Sequence, residues 1–412
     1  MKTQITEPNT DTIGTFKHTK GLSSLVYVLV LLLAAVSYST AQPGGTWTPL
    51  NTSFPGGYPE QALLLTDGSV LVQSGSNYAD WYKLTPDSSG HYVKGTWKKV
   101  ASIPASFNYA PFDPVTAVLM DGRVAVIGAE DNYAYAPPSH DSVGAIYDPG
   151  ANTWTQVLPP DFGDTCAQDG TPNGGTYWCS IGEGPSGVLN DGSLLVSNSG
   201  SGGGKLEALL PPPYTGRRVH WIQTGSGKAD INSEQGFTLL PSLDPQLSIG
   251  VTADTYHGFG PYGTLPTPIC AGVPAGSLGW NSSEIYYNGQ IGSTVYAGVW
   301  SCLGDTQVQL WGADDSGPPG TRLSYDEMGP AVLRPDGTVF QAGANVNSAT
   351  AILGTNLTWT AGPYFPTDIN CTSNCPPLTI EDGPVALLPD GNVLMMASPG
   401  RDTTPVAFFE LT

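Results

Sequence analysis

One short pattern recurs along the chain and constrains its fold more than any other feature. Each copy is an apolar run, an Asp-Gly pair and a second apolar run, and the clear copies occupy residues 62–75, 117–128, 187–197, 331–343 and 386–397. Asp-Gly between two apolar runs is a strong hairpin signal, and it predicts a tight primed turn in which Gly supplies the positive φ. Because both arms are largely apolar, both faces of each hairpin are expected to be buried.

A weaker sixth copy spans residues 237–251 and has Asp244-Pro245 at its turn. The closest copies lie about 54 residues apart, which fits one four-stranded β-propeller blade per repeat. The sequence therefore predicts an all-β, six-bladed propeller with four-stranded antiparallel blades. A seventh blade is the alternative if the long interval before residues 331–343 contains a degenerate repeat.

A Trp marks the predicted outer strand of most repeats, where it can pack between neighbouring blades. These residues are Trp47, Trp97, Trp154, Trp221 and Trp359. In the second repeat, Tyr147-Asp148-Pro149 precedes Asn152-Thr153-Trp154, and this run resembles the kelch repeat of the galactose-oxidase-like propeller superfamily. The resemblance covers residues 46–412, although the Gly pair that usually ends the second kelch strand is single or missing here. It implies the same propeller fold.

The two ends of the propeller sequence are expected to share one blade. The last repeat ends with a predicted third strand at residues 406–411, and residues 42–50 form a strand unit with no hairpin before it. Pairing these two strands would close the ring and remove two exposed sheet edges.

The composition fits a turn-rich, acidic β protein. The 412 residues include 52 Gly and 37 Pro, and the formal net charge is −20. An acidic surface argues against nucleic acids and anionic membranes as partners. It is compatible with cations, or with neutral polar ligands such as sugars.

Residues 1–41 have the features of a secretion signal. Lys17 and Lys20 precede an apolar stretch at 25–36, and Ala41 ends a small-residue cleavage site. Cleavage there would leave residues 42–412 as a propeller, expected to be monomeric, that is secreted, periplasmic or at the cell surface. No membrane span would remain, because the apolar stretch is removed and is shorter than a spanning helix needs. Retention of the stretch as an anchor is the alternative.

Six Cys follow this segment, and an even number in a secreted chain suggests disulfides. Proximity along the chain favours the pairs Cys166–Cys179 and Cys371–Cys375, which leaves Cys270–Cys302. All six lie in long connections that are predicted to share one face of the disc: residues 155–183, 254–281, 296–329 and 360–382. Long connections on one face of a rigid scaffold commonly carry the binding site.

An acidic residue precedes each predicted innermost strand, so these residues are expected to meet at the mouth of the channel. They are Glu60, Asp113, Glu183, Glu234, Glu327 and Asp382. Crowded carboxylates raise one another's pKa or bind a cation, and Ca²⁺ held by Glu183, Glu327 and Asp382 is the metal-site hypothesis. The alternative is that each carboxylate accepts backbone hydrogen bonds and seals the ring.

Aromatic residues on the same connections could stack on the apolar faces of sugars, and the ligand-binding candidates among them are Trp178, Tyr256 and Trp280. Packing inside the long connections is the alternative role for each of these side chains.

These features predict a secreted module that binds an extracellular carbohydrate or protein. The alternative is an enzyme that uses carboxylates or a metal at the channel mouth, either carbohydrate-active or similar to the copper-radical oxidases. The resemblance to those oxidases implies a need for two His ligands, and only His140 and His257 lie in suitable connections. The sequence contains neither a Gly-x-Ser-x-Gly nor a His-Glu-x-x-His motif.

Overall fold

The computed structural model describes residues 49–412 except 138, 167–174, 183, 200–204, 215–218, 231, 233–234, 255–280, 311–327, 345–348, 366–377, 381–382, 384, 389 and 399–406. Within this part of the chain the secondary structure is β-strand, apart from one 3-10 turn at Ala105–Phe107. No helix among the described residues is long and apolar enough to span a membrane.

The strands are numbered in chain order, and each blade is numbered by its position along the chain. Blade 1 comprises β1 (Pro59–Leu64), β2 (Val70–Ser74), β3 (Trp81–Thr85) and β4 (Thr96–Lys99). The next segment comprises β5 (Pro111–Phe112), β6 (Val115–Val118), β7 (Val124–Ala129), β8 (Asp131–Asn132), β9 (Asp141–Asp148) and β10 (Thr153–Val157). Blade 2 is the sheet of β6, β7, β9 and β10, and β5 pairs with β8 as a separate short ribbon.

The remaining blades follow the same order. Blade 3 comprises β11 (Gly187–Val188), β12 (Leu194–Ser197), β13 (Glu207–Leu210) and β14 (Ile222–Gln223). Blade 4 comprises β15 (Thr238–Leu240), β16 (Ser248–Ala253), β17 (Ser282–Ile291) and β18 (Thr294–Asp305). Blade 5 comprises β19 (Ala331–Leu333), β20 (Val339–Ala342), β21 (Thr350–Leu353) and β22 (Trp359–Ala361). Blade 6 comprises β23 (Val385–Leu387), β24 (Val393–Ala397) and β25 (Ala407–Leu411).

These six sheets form a six-bladed propeller of antiparallel blades, which confirms the predicted fold. Sequence order equals spatial order in every blade, so the first strand of each hairpin is innermost. The inner strands β1, β6 and β11 are neighbours in turn, as are β15, β19 and β23. The predicted N-terminal strand and Trp47 lie outside the described residues, and closure of blade 6 by that strand stays a prediction.

The Asp-Gly pattern forms the turns between the two inner strands of the blades. In blade 1, Gly68 N–H donates to the carbonyl oxygen of Leu65 at 3.0 Å, and Leu65 N–H donates to that of Ser69 at 2.8 Å. Asp67 Oδ1 accepts the Ser69 N–H at 2.9 Å, and Gly68 has φ +80°. The same arrangement recurs at Gly122, Gly192, Gly337 and Gly391.

The prediction of a primed turn is wrong in one respect. A two-residue type I′ turn needs positive φ at both central residues, whereas in these loops Gly alone takes the left-handed conformation. The loop therefore has three residues. The Asp keeps an ordinary φ, as a three-residue loop with one left-handed Gly requires, and its carboxylate accepts the backbone N–H two residues on.

The hydrophobic core is divided among the interfaces between blades. Each of five buried clusters joins one blade to the next, from blades 1 and 2 through to blades 5 and 6. The outer Trp residues reinforce these interfaces, because the indole N–H of each donates to a group of the preceding blade or its connection. Trp154 donates to Ala101 O at 2.7 Å, Trp221 to Leu158 O at 2.8 Å and Trp359 to Ser283 Oγ at 2.8 Å.

The connections divide between the two faces of the disc. The Asp-Gly turns lie on one face, here called the turn face. The links from second to third strands and from one blade to the next lie on the opposite face, here called the loop face. The fourth blade differs from the sequence prediction, since its outer strand β18 extends through Asp305 and contains Cys302. Cys302 is therefore on a strand rather than in a connection.

Candidate functional site

A cavity of about 800 Å³ occupies the loop-face end of the central channel. Its lining comes from the segments that lead into the inner strands of all six blades. Polar side chains and backbone groups contribute most of it, and the members include Gln61, Asp113, Thr116, Ser186, Gln235 and Gly383. Phe112 and Phe237 also belong to the lining, and the ring of Phe237 packs edge-on against Tyr286 and Trp300 in the core between blades 3 and 4. The fold therefore brings six distant segments together at one polar site.

Two of the predicted acids, Glu60 and Asp113, lie near one another where blades 1 and 2 meet. Burial raises the pKa of Glu60 above its ordinary value of 4.5, and the nearby charge of Asp113 raises it further. Gln61 Nε2 donates to Asp113 Oδ1 at 3.4 Å, and Thr116 Oγ1 donates to Gln61 Oε1 at 3.5 Å. Asp113 has φ +43°, an uncommon conformation that turns the chain into β6 at the rim of the cavity.

The other predicted acids, Glu183, Glu234, Glu327 and Asp382, lie outside the described residues. Their chain neighbours Gly184, Gln235, Met328 and Gly383 all line the cavity. The four segments therefore reach the site, while the positions of the four carboxylates stay predictions. Among the described residues, no group of three or more His, Cys, Asp or Glu side chains is arranged to hold a metal ion. The Ca²⁺ site assigned to Glu183, Glu327 and Asp382 is thus still a hypothesis.

The aromatic candidates have different outcomes. Trp178 is 1% exposed and belongs to the core cluster between blades 2 and 3. Its ring packs edge-on against Phe162 at 5.8 Å between centroids, so this side chain supports the long connection and is absent from the lining of the cavity. Tyr256 and Trp280 lie outside the described residues.

For one predicted disulfide, both cysteines are among the described residues and the bond is formed. Cys166 and Cys179 are bonded, with their Cα atoms 5.1 Å apart, on the connection between blades 2 and 3. Cys302 is also disulfide-bonded, while its predicted partner Cys270 lies outside the described residues. The pair Cys371–Cys375 lies outside them as well.

A buried ionic network that the sequence patterns did not predict lies beneath the blade 4 side of the cavity. The side chains of Lys228 and Asp254 are fully buried and lie 3.8 Å apart, Nζ to Oδ1. Lys228 also donates to Gln235 Oε1, and Gln235 Nε2 donates to Asp230 Oδ2 at 3.0 Å. Because Gln235 lines the cavity, the network fixes the position of one of its polar walls.

Two further carboxylates complete this network. Glu284 accepts the backbone N–H groups of Ala229 and Asp230, at 2.8 and 3.0 Å. Glu207 accepts the indole N–H of Trp300 at 2.7 Å. The outer Trp of blade 4 therefore donates to a carboxylate, whereas Trp154 and Trp221 donate to carbonyl oxygens and Trp359 donates to a hydroxyl. Burial raises the pKa of Glu207 to about 8, although Lys228, Asn232 and Trp300 oppose the increase. Burial also raises the pKa of Asp254 well above its ordinary value, with Glu284 adding to the effect.

A sequence signal for this network does exist. An acidic residue stands at or near the start of the third strand in three successive blades: Asp141, Glu207 and Glu284. All three are buried at the loop face. A charged residue inside an otherwise apolar strand is costly unless it is paired, so its presence indicates a built polar network.

Asp141 organises the β5–β8 ribbon on blade 2. Its carboxylate accepts the N–H groups of Ser142 and Val143, at 2.7 and 3.0 Å, and also the side-chain amide of Asn132. Burial raises the pKa of Asp141 to about 6, while these hydrogen bonds oppose the increase. Asn132 in turn binds Ala110 N and Asn108 O, each at 2.9 Å. The ribbon that carries Phe112 to the cavity is therefore held by a buried polar centre.

Comparisons with known proteins give structural likenesses only. No protein-family model and no curated protein matches this sequence. Among solved structures, an α-L-arabinanase from Penicillium chrysogenum in complex with arabinobiose is similar over 90% of this chain and 98% of its own, at 14% identity and a TM-score of 0.44. YjhT is similar over 88% of this chain and 99% of its own, at 12% identity and a TM-score of 0.42. AofleA from Arthrobotrys oligospora covers 85% of this chain and 80% of its own, at 10% identity and a TM-score of 0.38.

Proposed function

We propose that this chain is a kelch-type propeller that binds a neutral saccharide in the cavity at the loop-face end of its channel. The observation that carries the proposal is the polar cavity of about 800 Å³, to which all six blades contribute. A pocket of this size is within the range that encloses small organic ligands.

The chemistry of the lining matches sugar hydroxyls. Each hydroxyl can donate and accept, and the Gln61 amide can do both, while the Asp113 carboxylate accepts. Phe112 adds apolar surface for a pyranose face. The net charge of −20 disfavours anionic ligands and leaves neutral polar ones as the better match.

The proposal includes an extracellular location, with which a disulfide is compatible. Disulfides form and persist in oxidising compartments, and the Cys166–Cys179 bond lies on a loop-face connection. We propose that residues 1–41 direct secretion and that residues 42–412 act as a monomeric extracellular propeller.

A glycan array tests binding, and a panel of glycoside and alcohol or aldehyde substrates, run on the same protein, tests turnover. We expect selective binding of one group of neutral glycans without turnover. Gln61→Ala should weaken binding at least tenfold, because Gln61 lies in the cavity and positions Asp113.

Asp87→Asn is the control for non-specific effects of altered surface polarity, because Asp87 lies on the turn face and its amide analogue still accepts the Ser89 N–H. Failure to bind any glycan, or equal binding by wild type and Gln61→Ala, would contradict the proposal. Turnover of a substrate would instead identify an enzyme, and binding restricted to proteins would indicate a protein-recognition module.

A further inference from the structure

Four aromatic side chains, two exposed and two half-buried, form a cluster on the loop face beside the cavity. The cluster, here called the aromatic platform, consists of Tyr58, Tyr78, Phe112 and Tyr133. We infer that it is a second subsite for the same saccharide, so that the ligand is an oligosaccharide chain running from the cavity onto the platform. This inference rests on the proposed function, because it extends the same binding site.

The platform combines solvent exposure with ordered packing. Tyr58 is 52% exposed and Tyr133 is 47% exposed, so both rings are accessible to a ligand. The rings of Tyr78 and Tyr133 stack with centroids 4.6 Å apart and an interplanar angle of 26°. The hydroxyls of Tyr58 and Tyr78 are 3.2 Å apart.

Phe112 makes the platform continuous with the cavity. Its ring packs edge-on against Tyr78 at 5.7 Å and against Tyr133 at 6.3 Å. The same residue lines the cavity, next to Asp113. A ligand that leaves the cavity on the side of blades 1 and 2 would therefore meet the platform at once.

The platform is held in place before any ligand binds. Phe112 and Asp131 pair in the β5–β8 ribbon, and Tyr133 N–H donates to Ala110 O at 2.9 Å. Asn132, which lies between Asp131 and Tyr133 in the chain, is fully buried, and its side-chain amide donates a hydrogen bond to Asp141. On the other side, the ring of Tyr58 lies against Gly75, where any Cβ would overlap it. Rigid aromatic side chains bind with little loss of conformational entropy.

A saccharide chain fits this surface better than a peptide. Sugar rings present an apolar face for stacking and hydroxyls at their edges, and the platform supplies rings edged with tyrosine hydroxyls. The adjoining cavity continues this pattern with amide and carboxylate groups from Gln61 and Asp113. A proline-rich peptide would also stack on Tyr rings, and it is therefore included in the test as a competing ligand.

The test measures the dependence of affinity on chain length by calorimetry. The probes are the disaccharides and hexasaccharides of the cello, xylo, manno, laminari and arabino series, with decaproline as the peptide. We expect at least one series in which the hexasaccharide binds about tenfold more tightly than its disaccharide. Tyr133→Ala should reduce affinity for that hexasaccharide about 3- to 10-fold and leave the disaccharide unaffected, whereas Tyr133→Phe should keep most of the affinity.

Tyr296→Ala is the control, because Tyr296 is a partly exposed aromatic residue near the start of β18, next to the β17–β18 turn on the turn face. It should leave both affinities unchanged. Gln61→Ala should weaken disaccharide and hexasaccharide alike. Thermal melting of each variant verifies that it is folded.

The two proposals can fail separately. Equal affinity for disaccharide and hexasaccharide, or a length dependence that survives Tyr133→Ala, would overturn the platform inference and leave the cavity proposal standing. Absence of binding to every saccharide would overturn both. Binding of decaproline that depends on Tyr133, without saccharide binding, would assign the platform to peptides and also overturn the inference.

Discussion

Replacing Glu207 with Gln should make the propeller less sensitive to alkaline pH. Glu207 is fully buried where blades 3 and 4 meet, and its Oε2 accepts the indole N–H of Trp300. Burial raises its pKa from 4.5 to about 8. Between these two pH values the folded chain holds a proton at this site that the unfolded chain has lost. The free energy of unfolding therefore falls as the pH rises through this interval.

The size of the effect follows from the pKa difference. A shift of this size corresponds to about 5 kcal/mol of unfolding free energy as an upper bound, present in full below pH 4.5 and lost as the pH passes about 8. Gln has the shape of a protonated Glu and keeps an acceptor for Trp300. The variant should therefore lie within about 1 kcal/mol of the wild type at pH 5 and exceed its stability by about 2 to 4 kcal/mol at pH 9.

Urea unfolding followed by tryptophan fluorescence at pH 5, 7 and 9 measures this difference. Asp254 and Asp141 also titrate abnormally, so the quantity of interest is the difference between variant and wild type at each pH. Glu410→Gln makes the same chemical change at an exposed position and should have no such effect. Equal losses of stability by the wild type and Glu207→Gln between pH 5 and 9 would refute the reasoning.

Three further changes test the scaffold of the loop face by urea unfolding. Asp141→Asn should cost about 2 kcal/mol at pH 7, because its amide would oppose that of Asn132, and a cost below about 0.5 kcal/mol would contradict this. Gly128→Ala should lower the free energy of unfolding by more than ~2 kcal/mol, since Gly128 has φ +70° and a Cβ there would overlap the Ile181 carbonyl. Gly90→Ala should lower it by about 1 kcal/mol, because Gly90 has φ +82° but lies in open space. Equal costs at the two glycines would be inconsistent with the close approach. Replacing Cys166 and Cys179 together by Ala should cost about 3 kcal/mol, given their separation of 13 residues, and an unchanged unfolding midpoint would show that the bond is dispensable.

The blades could be predicted from sequence because their signals are local. Each Asp-Gly turn is encoded by residues that contact one another within a few positions, such as Asp67 and Ser69. The hairpins, the third strands and the Trp-bearing outer strands therefore follow from short patterns. The type of turn was less accessible, because the same dipeptide serves a two-residue primed turn and a three-residue loop.

The buried network could not be predicted in the same way. Its members Glu207, Lys228 and Glu284 are far apart in sequence and meet only when blades 3 and 4 pack together. The role of Trp178 has the same origin, because an aromatic residue in a long connection can face the ligand or the core. Packing against Phe162 decides the matter in favour of the core. The platform combines segments from two blades, so its stacked geometry is likewise a tertiary property.

Hydrogen exchange measured with and without a bound glycan tests the central claim most directly, which is that the ligand sits at the loop-face end of the channel. With the tightest glycan from the array bound, backbone amides at residues 112–116 and 184–187, where the chain enters blades 2 and 3, should exchange more slowly. Amides of the Asp-Gly turns, such as Gly68 and Gly122 on the turn face, should be unaffected. Protection confined to the turn face, or none on the segments that line the cavity, would contradict this account.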